Sequence, residues 1–161
     1  MRFRQLFRET ERDVLAYVLR RVRRPDEAPD VVAETYLVAW RKIEEVPPGD
    51  EARLWLIGVA RRQLANATRG HVRRQRLADR MRDELSRLPF DADSSGPDSD
   101  PDLDEALARL PEEDREVLTL FAWEGLKPNE IATVLGIRGV TARSRLHRAK
   151  KRLREQLGAP R

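Results

Sequence analysis

A strongly acidic segment, PFDADSSGPDSDPDLDE at residues 89–105, divides this sequence into two parts and constrains its fold more than any other feature. The segment has seven acidic side chains and no basic ones, and it is rich in Asp, Ser, Pro and Gly. Because it has almost nothing apolar to bury, packing cannot offset the entropy lost on ordering it, and its like charges repel one another. We therefore predict a flexible acidic linker at residues 89–104 between two small domains, residues 1–88 and residues 105–161.

Composition alone disfavours most classes of enzyme. The 161 residues include no cysteine and two widely separated histidines, His71 and His147, which argues against disulfides, thiolate metal sites and a Ser-His-Asp triad. No carboxylate cluster with metal-ligand spacing lies beside the basic parts of the chain, which places a nuclease last among the candidates. We expect a protein that is not an enzyme and that needs no metal or cofactor.

The hydropathy pattern bears on where the protein acts. No window approaches the roughly 18 consecutive apolar residues of a membrane-spanning helix. The first residues, MRFRQLFRETERD, lack the apolar core of a signal peptide. We expect no membrane insertion and a cytoplasmic, nucleoid-associated location.

Both predicted domains are basic. Residues 1–88 hold 20 Lys and Arg against 14 Asp and Glu, and residues 106–161 hold 12 against 7. Residues 52–78 contain seven arginines and residues 143–154 contain seven Lys and Arg, and neither run contains an acidic residue. One such run is as often a solvated helix face as a binding site. Two runs, one in each domain, favour a polyanionic partner, bound through phosphate neutralisation and counterion release.

Apolar residues recur at helical spacing in both domains and no stretch alternates like a strand, which predicts an all-α fold. The predicted buried stripes of the first two helices are Phe3, Phe7, Val14, Val18 and Val22, and then Val32, Tyr36, Ala39 or Trp40, Ile43 and Val46. Pro47, Pro48 and Gly49 predict a loop after them. A third helix runs into the arginine-rich stretch, where Gly70 is expected to weaken or bend it, and a further amphipathic segment spans residues 77–88.

The C-terminal domain has the pattern of a helix-turn-helix. Pro128 opens a short helix that Gly136 closes, and a long basic helix follows after a short connection. The apolar side of that last helix carries Ala142, Leu146, Ala149, Leu153 and Leu157. The second helix of such a motif can lie in the DNA major groove. A plain three-helix packing unit is the alternative, and the basic charge of the last helix disfavours it.

If residues 141–151 enter a groove, the exposed side chains of this segment contact DNA. They are Thr141, Arg143, Ser144, Arg145, His147, Arg148 and Lys151. Arginine can pair bidentately with guanine, whereas contacts to phosphate carry no sequence information. Because spacings of four and five residues share a helix face, we predict base contacts for Arg143, His147 and Arg148. A merely solvated side chain is the alternative for His147.

Three segments of the sequence are informative together. They are DEAPDVVAETYLVAWRKI, ARLWLIGVARRQLANATRGHVRR and LPEEDREVLTLFAWEGLKPNEIATVLGIRGVTARSRLHRAKKRLREQL. In this order they resemble regions 2.2, 2.3 to 2.4 and 4 of the extracytoplasmic-function (ECF) sigma factors, the smallest sigma-70-type initiation subunits of bacterial RNA polymerase. The resemblance covers about residues 3–157. It implies a region 2 helical bundle, a region 4 helix-turn-helix and promoter-specific initiation of transcription.

The resemblance also implies partners and site residues. The partners are the two largest subunits of core RNA polymerase, promoter DNA in double- and single-stranded form, and an anti-sigma factor. Docking on the polymerase clamp helices is implied for Asp30, Glu34, Leu37, Trp40 and Arg41. Melting and capture of the −10 strand are implied for the loop at residues 46–51 and for Arg53, Arg61, Arg62, Asn66 and Arg69. Reading of the −35 element is implied for the exposed side chains of the last helix.

The sequence departs from the family pattern at two places that bear on specificity. Arg62 stands where the family usually has Asn, and Asn66 where it commonly has Asp, which implies a different −10 base preference. Gly139 and Val140 precede Thr141, whereas in the family a glycine commonly comes directly before the threonine. From this inverted pair we expect a slight tilt of the recognition helix.

Capture of unpaired bases needs a basic track together with stacking platforms or apolar pockets. Residues 53–76 supply the charge, but aromatic platforms are few, and Trp55 occupies a position that is more often part of a core. We therefore expect a pocket in the loop at residues 46–51 to contribute most to base capture.

Two other readings of the sequence stay open at this stage. A polymerase-independent helix-turn-helix regulator would bind a free operator tightly, with its N-terminal domain serving for dimerisation or sensing. An adaptor would occupy polymerase without directing initiation. A sigma factor differs from both, because it binds DNA weakly alone and strongly only with core polymerase.

Overall fold

The computed structural model describes residues 2–85 and 100–158, and it describes side chains for residues 2–70 and 100–158. Within these ranges the regular structure consists of seven α-helices and two short 3-10 helices, with no β-strand. The predicted all-α fold is therefore confirmed. The chain separates into two compact units, residues 1–94 and residues 95–161, called here the N-terminal and the C-terminal unit. Residues 89–99 of the predicted linker lie outside the described residues.

The N-terminal unit consists of α1 (Arg2–Leu19), α2 (Ala28–Arg41) and α3 (Glu51–Leu85), with 3-10 helices at Pro25–Glu27 and Ile43–Glu45. Pro29 lies in the first turn of α2, where a backbone N–H has no partner within the helix, so its absence costs little. The third helix continues through Gly70 and includes most of the segment that the sequence predicts as separate. Residues 86–88 of that segment lie outside the described residues.

Each helix of the N-terminal unit packs against the other two. The side chains removed from solvent at the centre are Val14, Tyr17, Val18, Ala39, Leu56, Ile57 and Ala60. Burying one side chain of the size of leucine or isoleucine contributes about 1.5–3 kcal/mol, so this cluster is the main stabilising feature of the unit. The buried face of α1 also includes Leu6 and Thr10, whereas Phe7 of the predicted stripe is 38% exposed.

Aromatic rings and two hydroxyls join α1 to α2. Phe3 and Phe7 approach the ring of Tyr36 edge-on, with centroids 6.2 and 4.8 Å away. The hydroxyls of Thr10 and Tyr36 share a hydrogen bond of 2.8 Å, and Thr10 Oγ1 donates to the carbonyl of Leu6 at 2.6 Å. Burial raises the pKa of Tyr36 to about 12, so the phenol is neutral at physiological pH. The contact between α1 and α2 therefore consists of aromatic rings and uncharged hydroxyls in this region.

The C-terminal unit consists of α4 (Pro101–Ala108), α5 (Glu112–Ala122), α6 (Pro128–Leu135) and α7 (Gly139–Gly158). Residues 101–104, which composition assigns to the linker, lie in the first half of α4. The side chain of Asp100 caps this helix by accepting the backbone N–H of Asp102 at 3.1 Å. Pro101 and the acidic residues beside it suit a helix N-terminus, and α4 packs against α7 with Ala106 buried, so capping and packing together stabilise the end of the acidic segment.

The first helix of the helix-turn-helix has the limits that the sequence predicts, whereas the second begins at Gly139, within the short connection that the sequence predicts. Pro128 begins α6, and Glu130 closes its first turn by accepting the backbone N–H of Lys127 at 2.7 Å. Gly136 follows the last residue of α6 with φ 66°, a backbone conformation that glycine adopts without strain. The core of the unit is formed by Val117, Leu118, Leu120, Leu126, Ile131, Ala142, Leu146 and Ala149. It therefore joins α5, α6 and α7 in one packed cluster.

Candidate functional site

The outer face of α7 is the most basic helical surface of the C-terminal unit. Ala142, Leu146 and Ala149 lie on the buried side of the helix. Their spacing of four and three residues turns the intervening side chains outward. The predicted contact residues that are exposed are Arg143, Ser144, His147, Arg148 and Lys151. The structure therefore brings five of the seven predicted residues together on one solvent-facing surface.

The other two predicted residues of α7 are partly enclosed. Thr141 is half-buried in the first turn of the helix. The guanidinium of Arg145 lies 3.6 Å from a carboxylate oxygen of Glu113 on α5, and its side chain is 24% exposed. Arg145 therefore has a charged partner within the unit. Val140, which the sequence analysis does not name as a contact, is 67% exposed at the N-terminal end of α7.

A buried carboxylate holds α7 against α5. Arg152 Nη1 donates a hydrogen bond to Asp114 Oδ2, and the Asp114 side chain is only 6% exposed. On the same helix the ammonium of Lys150 lies 3.9 Å from the ring centroid of Phe121, a cation–π contact. Two cations of the basic run therefore serve packing within the unit, and they fix the rotation of α7 about its axis.

The exposed face of α2 in the N-terminal unit combines charge with apolar surface. Asp30, Glu34, Leu37, Trp40 and Arg41 are all exposed, as the resemblance requires of a docking surface. The Trp40 side chain is 62% exposed, and its ring meets Phe3 edge-on with centroids 5.1 Å apart. Among the aromatic side chains in residues 2–70 and 100–158, Trp40 is the most exposed.

The described part of α3 carries the five residues predicted for the −10 strand, in two groups. Arg62, Asn66 and Arg69 are exposed and, at spacings of four and three residues, share one helix face. Arg69 donates a hydrogen bond to Asn66 Oδ1 at 2.5 Å. Arg62 and Asn66, the two residues of this helix that differ from the family pattern, thus lie on the same surface. Arg61 and Arg53 are only partly exposed.

Arg53 has a role within the N-terminal unit. Its Nε lies 2.7 Å from a carboxylate oxygen of Asp13 on α1, and its side chain is 31% exposed. This ion pair joins the first turn of α3 to the middle of α1. The Arg53–Asp13 ion pair thus contributes to the packing of α3, the helix that carries the exposed Arg62–Asn66–Arg69 face, against α1.

A cavity of about 200 Å³ lies between α1 and the loop after α2; we call it the loop cavity. Its residues are Arg2, Gln5, Leu6, Glu9, Val46, Pro47, Pro48, Gly49 and Ala52. The guanidinium of Arg2 donates to the carbonyl of Val46, and Gln5 Nε2 donates to Glu9 Oε1 at 2.8 Å. The wall formed by the loop is therefore apolar, and the wall formed by α1 carries hydrogen-bond donors and acceptors.

Sequence reasoning predicts the loop side of this cavity and misses the α1 side. Arg2, Gln5 and Glu9 follow helical spacing of three and four residues, which is the signal that identifies them as one polar face of α1. Only the apolar face of α1 enters the sequence argument, and nothing local indicates that the polar face meets a loop more than thirty residues later.

No three His, Asp or Glu side chains in residues 2–70 and 100–158 gather in a way that could hold a metal ion. Among the helices described, none is long and apolar enough to cross a membrane.

Comparisons with known proteins identify both units. The family Sigma-70 region 2 matches residues 6–77, and the family Sigma-70, region 4 matches residues 101–153. The chain is 34% identical to the RNA polymerase sigma factor CarQ of Myxococcus xanthus, over 97% of this chain and 89% of the relative. It is 33% identical to the ECF RNA polymerase sigma factor SigL of Mycobacterium tuberculosis, over 98% of this chain and 92% of the relative.

Two solved structures have the same fold. One is the sigma factor RpoE in complex with the anti-sigma factor NepR from Bartonella quintana, with TM-score 0.64, 24% identity and coverage of 99% of this chain and 98% of the other. The second is CnrH in complex with the cytosolic domain of CnrY, with TM-score 0.64, 23% identity and coverage of 99% and 89%. At these identities the likeness establishes the helical fold.

Proposed function

The chain belongs to the ECF group of sigma-70-type RNA polymerase sigma factors, and from this premise we propose how its two units recognise a promoter. The bond-forming chemistry of transcription belongs to the core polymerase. This chain supplies the address and the melting of the DNA, and catalyses no reaction itself. It acts where polymerase and DNA meet, in the cytoplasm at the nucleoid.

The C-terminal unit reads the −35 element with α7 in the major groove. The observation that carries this proposal is the exposed face of α7, opposite the buried Ala142, Leu146 and Ala149. Arg143, His147 and Arg148 are assigned to base edges. Ser144, Lys151, Thr141 and Arg145 are assigned mainly to phosphates, which fix the register without reading sequence. Val140, which is 67% exposed at the helix N-terminus, is assigned to a thymine methyl group.

The N-terminal unit captures the −10 strand once it unpairs. Taking a base out of the stack costs a few kcal/mol, which contacts to the extruded base must offset. The loop cavity, with its apolar loop wall and polar α1 wall, is assigned to that base. The exposed face of Arg62, Asn66 and Arg69, with Arg61 beside it, follows the backbone, because a basic track binds single strands without reading every base. Arg53 supports the track through Asp13.

The exposed face of α2 docks on the clamp helices of the largest polymerase subunit. Trp40 is the central contact of this face, since tryptophan is enriched among residues that dominate binding energy. Asp30, Glu34, Leu37 and Arg41 surround it with charge and apolar surface. The C-terminal unit holds the flap of the second large subunit. Because one structural neighbour is a sigma factor in complex with the anti-sigma factor NepR, we place an anti-sigma factor among the partners of this chain.

Reconstituted transcription tests the proposal. Core RNA polymerase and the full chain are incubated with fragmented DNA from the source of the chain, and transcript 5′ ends are sequenced. Discrete starts that share a −35 and a −10 element at constant spacing are expected. The same assay with Arg143, His147 and Arg148 all replaced by Ala should lose these starts, while Arg4→Ala, an exposed arginine of α1, should keep them.

The alternatives predict different outcomes of the same assay. Background transcripts with core polymerase retained on the protein would indicate an adaptor. Background transcripts without core association, together with tight binding of a free duplex, would indicate a polymerase-independent regulator. Either outcome contradicts the proposal.

A further inference from the structure

The two helices of the helix-turn-helix are joined by a hydrogen bond between exposed side chains. Asn129 lies in the first turn of α6, and its Oδ1 accepts a hydrogen bond of 3.2 Å from Arg143 Nη1 on α7. Arg143 is one of the residues assigned to base edges. The bond therefore acts directly on a side chain that faces the DNA, whereas the buried Asp114–Arg152 pair acts on the helix as a whole.

A glycine leaves the space for this bond. A Cβ atom built at Gly139, the first residue of α7, would lie 2.8 Å from Asn129 Oδ1 and 3.5 Å from Arg143 Nη1. Contacts under 3.0 Å are essentially never observed for a real Cβ. Gly139 is not among the glycines with positive φ, so what it provides is space rather than an unusual backbone conformation. Any side chain at 139 would displace the Asn129 amide or the Arg143 guanidinium.

We infer that Asn129 is a positioning residue for −35 specificity, holding the Arg143 guanidinium in place for one base, and that Gly139 permits this contact. The inference rests on the proposed function of α7. A guanidinium carries five N–H donors in a planar fork. When Asn129 takes one of them, the plane of the fork is fixed and the remaining donors stay available for O6 and N7 of a guanine.

The consequence concerns specificity more than affinity. An arginine without an anchor can turn from a base edge to a nearby phosphate, where it still neutralises charge but reads no sequence. Loss of the Asn129 contact should therefore reduce the preference for one base and leave overall promoter binding nearly unchanged. A contact that merely stabilised the unit would behave differently, because its loss would weaken all promoters equally.

The test uses full-length chain and core polymerase on a promoter library with a randomised −35 element and a constant −10 element. Transcript counts give the base preference at each −35 position. Arg143→Ala identifies the position that Arg143 reads. At that position we expect Asn129→Ala and Gly139→Ala each to lower the preference about fivefold, part of the discrimination that a full bidentate pair supplies. Total transcription summed over the library should change less than twofold.

Two further variants separate positioning from stability. Asn129→Asp keeps an acceptor oxygen at the same place and suits the N-terminal turn of α6, so it should restore the preference to within about twofold. Thr133→Ala is the control, because Thr133 lies one turn further on α6 and its hydroxyl donates only to the Asn129 carbonyl, at 3.2 Å. Its base preferences should equal those of the wild type.

The outcomes distinguish the inference from its premise. If Arg143→Ala removes a base preference and Asn129→Ala does not, the inference is wrong and the role of α7 stands. The inference is also wrong if Asn129→Ala lowers transcription equally from all −35 sequences together with a lower melting temperature. If the wild type shows no −35 preference at all, the proposed function of α7 and the inference fail together.

Discussion

The two units of this sigma factor are both small helical bundles, but the buried polar pairs between their helices differ in charge. In the N-terminal unit a pair of neutral hydroxyls, Thr10 and Tyr36, lies between α1 and α2. In the C-terminal unit a buried carboxylate, Asp114, pairs with Arg152 between α5 and α7. Loss of one partner costs about 1–3 kcal/mol when it leaves a buried neutral group unsatisfied, and about 3–5 kcal/mol when it leaves a buried charge unpaired. In the proposed function, the charged pair thus belongs to the unit whose helix α7 reads bases.

The exposed surfaces of the two units also differ. The N-terminal unit presents a tryptophan and a cavity, which suit a protein partner and an extruded base. The C-terminal unit presents the basic face of α7, which suits duplex DNA. In the proposed function, the C-terminal unit therefore reads duplex DNA, and the N-terminal unit binds the polymerase and an extruded base.

The largest effect is expected when the charged pair is broken. Arg152→Met removes the partner of Asp114 and leaves a carboxylate that is 6% exposed without its cation. We expect a loss of about 3 kcal/mol in the free energy of unfolding of the C-terminal unit, the lower end for a broken buried pair, because Arg152 itself is half exposed. Hydrogen exchange of the α5 and α7 amides, recorded during a urea titration, measures this free energy of unfolding.

The control for this variant is Arg154→Met, which removes an exposed arginine two residues later on the same helix. It should change the free energy of unfolding by less than about 0.5 kcal/mol. Equal effects of the two substitutions would mean that the basic run acts by net charge alone. The contrast between the two units would then lose its basis.

The second effect concerns the partner surface of the N-terminal unit. Trp40→Ala should weaken binding of core polymerase about 30-fold, the usual result of truncating a dominant interface tryptophan. Stability should change little, because Trp40 is 62% exposed. Titration of labelled protein with core polymerase gives the Kd. Leu15→Ala is the matched control, since Leu15 is an exposed apolar residue of α1, 41% accessible. Similar weakening by both variants would contradict a specific role of Trp40.

The sequence alone predicts those features that depend on neighbours along the chain. Pro128 and Gly136 limit α6, and the three-and-four spacing of Ala142, Leu146 and Ala149 gives the buried side of α7. Helical periodicity is a local property, so the all-α fold and the outward face of α7 follow from it.

Features that depend on distant residues are not predictable in this way. Asp13 pairs with Arg53, and Asp114 with Arg152, across long separations in sequence, and a basic run gives no sign of which cations are so occupied. The apolar pattern also leaves Ala39 and Trp40 as alternatives for the buried stripe of α2. The structure buries Ala39 and exposes Trp40. The Trp40 ring contacts Phe3 of α1, a residue that is distant in sequence.

The third effect tests the loop cavity and should be smaller. Ala52→Leu puts additional methyl groups into the cavity without changing charge. We expect about fivefold less open complex, corresponding to about 1 kcal/mol, the low end of the energy of one captured base. Permanganate reactivity of unpaired −10 thymines measures melting. Ala67→Leu, at an exposed alanine of α3, is the control. Unchanged melting with Ala52→Leu would exclude the cavity as the base site.

The smallest effect is expected at the neutral pair of the N-terminal unit. Tyr36→Phe removes one hydrogen bond, but Thr10 still donates to the carbonyl of Leu6, so no buried donor is left without a partner. The loss in the free energy of unfolding at pH 7 should be about 0.5–1 kcal/mol. Urea titration under the conditions used for Arg152→Met makes the two values comparable.

The pH dependence of this small difference follows from the pKa of Tyr36. Burial raises that pKa from 10.0 to about 12 in the folded state, so between these values the unfolded chain loses the phenol proton while the folded chain keeps it. The unfolded state then binds fewer protons, and stability falls as pH rises from 10 to 12. The advantage of the wild type over Tyr36→Phe should be complete well below pH 10, shrink as the pH approaches 10 and reverse at about pH 10–11, where the linkage loss exceeds the energy of one hydrogen bond. A stability difference between the two proteins that stays constant across this range would mean that Tyr36 ionises in the folded unit as easily as in water. The contact between α1 and α2 at Tyr36 would then be open to solvent.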